Sequence, residues 1–405
     1  MFKKTLAILL ALVMALSMLA VFTSCKDEEK DEFKVGFIFL HDENSTYDKN
    51  FIDAANAAAK ALGLTEDQVI MKTGIPEGPE CYEAACDLVD SGCDLVFADS
   101  FGHESYMIQA AKEFPNVQFC HATGTKAHTE KLANYHNAFA SIYEGRYLAG
   151  IAAGMKLNEM IAAGDITAEQ AVVGYVAAWP YAEVISGYTS FFLGVRSVCA
   201  SATMKVEYTN SWFDIALERE AALNLINSGC ALISQHADSE GAPKACEEKE
   251  IPNVAYNIST ISIAPTTALI SSKINWEPYM KLIIEKTMAG KGNEIPYDWC
   301  GGIEEGSVEL TELNSAVAAE GTQAAIDAAI AQFKAGTLKV FDTSKFTVKG
   351  QTLTEYLADV DDLGDYVPET NVVHDGYFDE SAEGKRSAPY FDLIIDGITV
   401  PGNDQ

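Results

Sequence analysis

From Lys34 onward, short β-rich runs alternate with longer alanine-rich stretches of helical periodicity, and that alternation leaves few folds open. Strand-like runs fall at 35–40, 95–98, 117–121, 172–178, 205–208, 232–235 and 254–257. Helical patterns separate them at 51–62, 80–91, 104–114, 143–157, 185–198 and 215–228. Leading into and along the first, Tyr47, Phe51, Ala55, Ala58 and Leu62 recur at the spacing that lines one helix face. A β-α-β-α rhythm predicts parallel sheets with helices on both faces. It runs once through 34–140 and again through 171–257, so two Rossmann-like α/β lobes are expected, in keeping with a chain too long for one hydrophobic core.

In open parallel sheets, ligands bind beyond the carboxyl ends of the strands. Two lobes facing each other bring those ends to one interlobe cleft. The loops that follow the strands therefore carry the candidate site. They read His41-Asp42-Glu43-Asn44-Ser45-Thr46-Tyr47-Asp48, Asp99-Ser100-Phe101-Gly102-His103, Trp179-Pro180-Tyr181-Ala182-Glu183, Thr209-Asn210-Ser211-Trp212-Phe213-Asp214, His236-Ala237-Asp238-Ser239 and Ile258-Ser259-Thr260 after Asn257. Nearly all combine hydroxyl, amide or carboxylate groups, most with an aromatic ring beside them. Flat faces with a few hydrogen-bonding groups suit a planar heterocycle, because base–aromatic stacking contributes roughly 1–3 kcal/mol per base. Asp and Asn can read the donors and acceptors on its edge. Each residue also has a structural reading. Trp179 and Trp212 are equally suited to packing, and Asp214 and Glu183 to capping a helix. Asp238-Ser239 can start the helix that runs through Cys246.

The amino terminus places the protein. Lys3 and Lys4 precede an apolar run from Leu6 to Phe22 that ends at Thr23-Ser24-Cys25, the layout of a secretory leader; the run also sits at the lower edge of membrane-spanning length. Ala20-Val21-Phe22-Thr23-Ser24-Cys25 resembles a lipobox, in which cleavage precedes the cysteine and its sulfur is acylated. Residues 26–32 are all charged and read as a solvated tether. A formal charge of −31 repels phosphate backbones, which excludes nucleic acid as a partner and disfavours an anionic ligand.

Catalytic and metal patterns are missing. Beyond Cys25, eight cysteines are scattered without a Cys-x-x-Cys pair, and Cys93, Cys120 and Cys230 lie in or beside apolar runs as expected of small buried hydrophobes. The histidines show no zinc spacing, and there is neither a nucleophile elbow nor a Walker loop. His236, Asp238 and Ser239 are too close in sequence to meet as a triad. No metal or cofactor is expected. The small residues between Gly145 and Gly154 suit close helix packing rather than phosphate binding.

Several segments together resemble the basic membrane protein family of substrate-binding lipoproteins, which serve ATP-driven importers of nucleosides and purine bases. They are Ser100-Phe101-Gly102, Phe114-Pro115-Asn116-Val117, His121-Ala122-Thr123-Gly124, Tyr143-Glu144-Gly145-Arg146-Tyr147-Leu148-Ala149-Gly150, Val173-Gly174-Tyr175-Val176-Ala177-Ala178, Asn210-Ser211-Trp212-Phe213-Asp214 and Gln235-His236-Ala237-Asp238-Ser239. The resemblance extends from about Lys34 to Phe341. It implies the type I periplasmic-binding fold, with crossovers near Ala140, Thr267 and Gly292 and hinged lobes that close on ligand. The lobes would be 34–140 with 268–292 and 141–267 with 293–345, after a leader at 1–24 and a lipidated tether at 25–33. Residues 346–405 form an extension of two or three strands on the second lobe, including strand-like runs at 390–395 and 398–400.

By position, the resemblance makes Tyr47, Phe101, Trp179 and Trp212 the stacking candidates. Ser45, Thr46, Asp48, Ser100, Asp214, His236, Asp238 and Asn257 are the polar ones. The first loop departs from the subgroup's usual Gly-Trp-Thr-Tyr, with Asn44-Ser45-Thr46-Tyr47 in its place. The implied function is capture of a purine base or nucleoside by a monomer anchored outside the cytoplasm through Cys25, and delivery to permease and ATPase subunits. Two other classes remain open: a sensory receptor, and a nucleoside hydrolase.

Overall fold

The computed structural model describes residues 32–360, 365–380 and 385–400. The leader, Cys25 and most of the tether lie outside them. Among the described residues no helix is long and apolar enough to cross a membrane.

The first lobe begins with β1 (Val35–Ile38), α1 (Thr46–Ala61), β2 (Val69–Lys72), α2 (Pro79–Asp90), β3 (Leu95–Ala98), α3 (Glu104–Glu113), β4 (Gln118–Ala122) and β5 (Tyr135–Ala140). The second continues with α4 (Ile142–Ala163), β6 (Val172–Ala177), α5 (Ala182–Val198), β7 (Thr203–Tyr208), α6 (Ile215–Asn227), β8 (Leu232–Gln235), α7 (Gly241–Lys249), β9 (Asn253–Tyr256) and β10 (Ala268–Ile274). Then come α8 (Glu277–Met288), β11 (Asp298–Gly301), β12 (Val308–Leu310) and α9 (Thr322–Lys334). The first sheet has the order β11-β5-β4-β3-β1-β2 and is parallel throughout. Its central strands are buried along their length, as continuous apolar runs covered on both faces require. The second has the order β12-β10-β9-β8-β6-β7, extended at the β7 edge by β13 (Ile398–Thr399), with only β12 antiparallel.

The chain leaves the first lobe after Ala140, and α4 packs on α5 and β10. Two crossings lie elsewhere than the sequence suggests. Ala268–Ile274 pairs with β9, so the second crossing follows Ile274 rather than Thr267, and α8 then packs against α1. β11 pairs with β5, so the third follows Gly301 rather than Gly292. Both strands are locally unreadable. Ser271, Ser272 and Lys273 interrupt one, and Asp298-Trp299-Cys300-Gly301 has no apolar run; only the neighbouring strand completes them.

Helices α4 and α5 touch backbone to backbone. A Cβ at Gly150 would stand 2.1 Å from the Phe191 carbonyl oxygen, and one at Gly194 would stand 2.1 Å from that of Tyr147. Cys93, Cys120 and Cys230 are buried thiols.

The carboxy-terminal extension differs from expectation. Tyr390–Ile395 is not a strand; instead Phe346, Phe378 and Phe391 complete the second lobe's core beside Phe341. The extension also reaches the first lobe. The Ser387 hydroxyl donates to Asp298 (2.8 Å) and accepts from the Asn137 amide (3.0 Å), while Asp359 lies 3.5 Å from His128.

Candidate functional site

The strand-end loops of both lobes converge on one cleft. Leu40, His41, Tyr47, Asp48, Ser100, Phe101 and Thr123 line it from the first lobe, and Glu183, Trp212, His236 and Asp238 from the second. About 400 Å³ of space not filled by atoms, open solvent at the mouth included, lies between them. The lobes are closed. The Thr46 amide (3.1 Å) and hydroxyl (2.9 Å) both donate to the Asp238 carbonyl across the cleft. Phe101 meets Tyr181 with ring centres 5.7 Å apart, and His41 meets Phe213 at 5.4 Å.

On the first-lobe wall, Ser45 caps α1, its hydroxyl accepting from the Asp48 amide at 3.3 Å. This cap aims the helix amino terminus at the cleft and presents Tyr47 and Asp48. The Tyr47 hydroxyl donates to the Asp99 carbonyl (2.6 Å), which holds its ring against the cavity. Asp48 and Asp99 form a pair of unlike carboxyls. Burial by itself would raise the Asp48 pKa, but bonds from the His41 side chain, Ser45 and the His41 amide (2.7 Å) hold it below the usual range. Asp99 is fully buried, and desolvation followed by the Asp48 charge pushes it well above that range. The two adjoining carboxyls are thus pushed in opposite directions, Asp48 towards the charged form and Asp99 towards the neutral one. Asp99 Oδ2 has no hydrogen-bond partner. Ser100 donates to Glu77 at 2.6 Å, which pins the loop carrying Phe101.

On the second-lobe wall, Trp212 faces the cavity with its ring 6.4 Å from that of His236. Asp238 is buried, and burial, then the charges of Glu218, Asp48 and Glu183, raises its pKa well above the ordinary value. It does not start a helix: α7 begins at Gly241, whose amide donates to the Ser239 hydroxyl (3.1 Å). Asn257, in the left-handed region at φ 66°, stands behind Asp238 with its amide 3.4 Å from Oδ1.

Five candidates do not line the cavity: Ser45, Thr46 and Asn257, placed above, and Asp214 and Trp179. Asp214 Oδ1 accepts from the amides of Ala216 and Leu217, both at 2.9 Å, so it caps α6. Trp179 stacks on Tyr181 at 6.0 Å and 13° at the outer mouth of the cleft. His41, Thr123 and Glu183 line the cavity without having been singled out as ligand candidates. Behind them sits Arg146, almost wholly buried in α4. A lone arginine among Gly145, Leu148, Ala149 and Gly150 was its only signal, since a charge in an otherwise small and apolar helix must find partners inside. Among the described residues no group of three or more His, Cys, Asp or Glu is placed to hold a metal.

Two parallel α/β lobes joined by three crossings around a closed cleft define a two-domain solute-binding protein of the type I periplasmic fold. Solved structures share it. An ABC transporter solute-binding protein from Conexibacter woesei superposes with a TM-score of 0.60 at 20% identity, over 76% of this chain and 98% of that one. One from Aeropyrum pernix K1 gives 0.63 at 15%, over 76% and 93%. The chain belongs to the Bmp family, described as ABC transporter substrate-binding protein, PnrA-like, whose profile matches residues 38–336. A purine-binding protein of Brucella abortus is 30% identical over 349 residues, 82% of this chain and 94% of its own. A protein of Haloferax volcanii named as a candidate ABC transporter glucose-binding protein is 34% identical over 227 residues, 56% of this chain and 54% of its own. The family is one of substrate-binding proteins rather than enzymes. Its members work outside the cytoplasm with a small-molecule ligand and with permease and ATPase partners.

Proposed function

We propose that this protein captures a purine base or nucleoside between its lobes and delivers it to an importer, held at the membrane by acylated Cys25 and acting as a monomer. The observation that carries the reading is the wall of the closed cleft. Trp212 and Phe101 offer flat faces, while an acceptor carboxylate at Asp48 and a raised-pKa carboxyl at Asp238 offer both hydrogen-bonding senses to a heterocycle edge. The Asp48 carboxylate in the wall and the formal charge of −31 oppose a phosphate, which favours base or nucleoside over nucleotide. The 30% identity to a purine-binding protein points the same way.

Isothermal titration against adenine, guanine, hypoxanthine, xanthine, their nucleosides and glucose tests this. Saturable heat from at least one purine is expected, with a Trp212→Ala variant weakened by roughly 5- to 150-fold, as the loss of a stacking face of roughly 1–3 kcal/mol implies. Heat from glucose alone would instead align the chain with the Haloferax relative and end the purine reading.

A further inference from the structure

Arg146 and His236 meet behind the second-lobe wall, both almost wholly buried. Arg146 Nη1 donates to the Tyr175 hydroxyl (2.9 Å) and the Gln235 carbonyl (2.7 Å), and its guanidinium lies 3.6 Å from the centre of the Tyr256 ring. Its Nη2 stands 3.1 Å from His236 Nδ1. A Cβ on Gly187 would come within 3.2 Å of the same nitrogen, so the bare glycine leaves the contact its space. Arginine carries donors only and stays protonated, so this contact is favourable solely when Nδ1 is bare and accepting. Burial and then the Arg146 charge lower the His236 pKa, so the ring is neutral and its one proton sits on Nε2. Nε2 faces Glu183 Oε1 at 3.5 Å, and both residues line the cavity.

We infer that Arg146 is a positioning residue that locks His236 in its Nε2–H tautomer, so that His236 and Glu183 offer the ligand a donor and an acceptor side by side. Such a pair complements an amide- or amidine-type edge, where an acceptor atom adjoins an N–H. The ligand half of this statement rests on the purine reading above; the tautomer does not. A carboxylate has lone pairs left for a ligand N–H while it faces Nε2–H.

Long-range ¹H–¹⁵N correlation spectra of histidine-labelled, ligand-free protein at neutral pH test the lock, with His236 assigned by its loss in His236→Gln. A protonated Nε2 and bare Nδ1 are expected; an Nδ1–H tautomer or an imidazolium would overturn it. Arg146→Lys keeps a donor at the position and should keep the tautomer, whereas Arg146→Met should give a tautomer mixture. Should the methionine variant fail to fold, the wild-type spectrum alone decides. For the ligand half, titration with adenine should show at least a tenfold loss in Glu183→Gln with the His236 spectrum unchanged. Wild-type affinity in that variant would overturn the donor–acceptor pair. Absence of any purine binding by the wild type, with the tautomer as expected, would remove the purine reading and leave the lock standing.

Discussion

Asp214 and Asp238 occupy comparable places after strands, yet the protein uses them oppositely. The Asp214 carboxylate bonds to two amides at the start of α6, so Asp214→Ala should lower the free energy of unfolding by about 1 kcal/mol in urea titration and leave the affinity for the proposed purine ligand intact. Asp238 instead faces the cavity with its pKa raised. Burial sets a wider pH response. It pushes Glu144 and Glu218 up to about 7 and Glu380 up to about 8, while His103, His121 and His136 fall to about 4. The carboxyls keep protons that the unfolded chain releases above its ordinary carboxylate range, so their stabilisation diminishes as pH rises towards 8. The histidines stay neutral where the unfolded chain protonates, so their contribution is lost as pH falls from about 6.5 towards 4. Above pH 6.5 only the carboxyls act. The melting temperature should therefore fall between pH 6.5 and 8, and Glu380→Gln should remove roughly 1.4 kcal/mol per pH unit of that slope in calorimetry at fixed ionic strength.

Elements were readable where burial on both faces writes a continuous apolar run, as in Leu95–Ala98 and Val172–Ala177. Tyr135–Ala140, with His136 and Asn137 inside it, was not, although every residue is buried. Its polar side chains are satisfied by distant groups, His136 by Gln118 and the Pro296 carbonyl, and Asn137 by Gly124, Asp298 and Ser387. No local pattern announces partners so far along the chain. The α4–α5 contact is the reverse case, because the small residues from Gly145 to Gly154 did announce close packing. Replacing Gly150 sets a Cβ against a backbone carbonyl rather than a side chain that can swing aside. Gly150→Ala should destabilise by about 3 kcal/mol in chemical denaturation, with far-ultraviolet circular dichroism of the folded form retained.

Across the whole molecule, the extension is tied to both lobes: to the second through β13 on β7 and the Phe391 cluster, to the first through Ser387 and Asp359. Opening the lobes must break or stretch the first-lobe ties, because the core contacts hold the extension to the second. Ser387→Ala combined with Asp359→Asn should enlarge the radius of gyration of ligand-free protein in small-angle scattering, and the proposed purine ligand should contract it to the wild-type value. The residues that make the cleft were largely legible, since Tyr47, Asp48, Ser100, Phe101, Trp212, His236 and Asp238 follow strands whose ends must converge in any parallel two-lobed fold. Their protonation states were not, because a carboxyl's pKa depends on burial and on charges brought from other loops. The amino-acid sequence by itself determined the α/β class, the doubled lobe and the cleft-facing loops, because periodicity and strand order are local properties of the chain. Only the tertiary structure decided where the chain crosses between lobes, that Asp214 caps while Glu183 lines the cavity, and that Arg146 stands behind His236, because each depends on which groups long-range packing sets side by side.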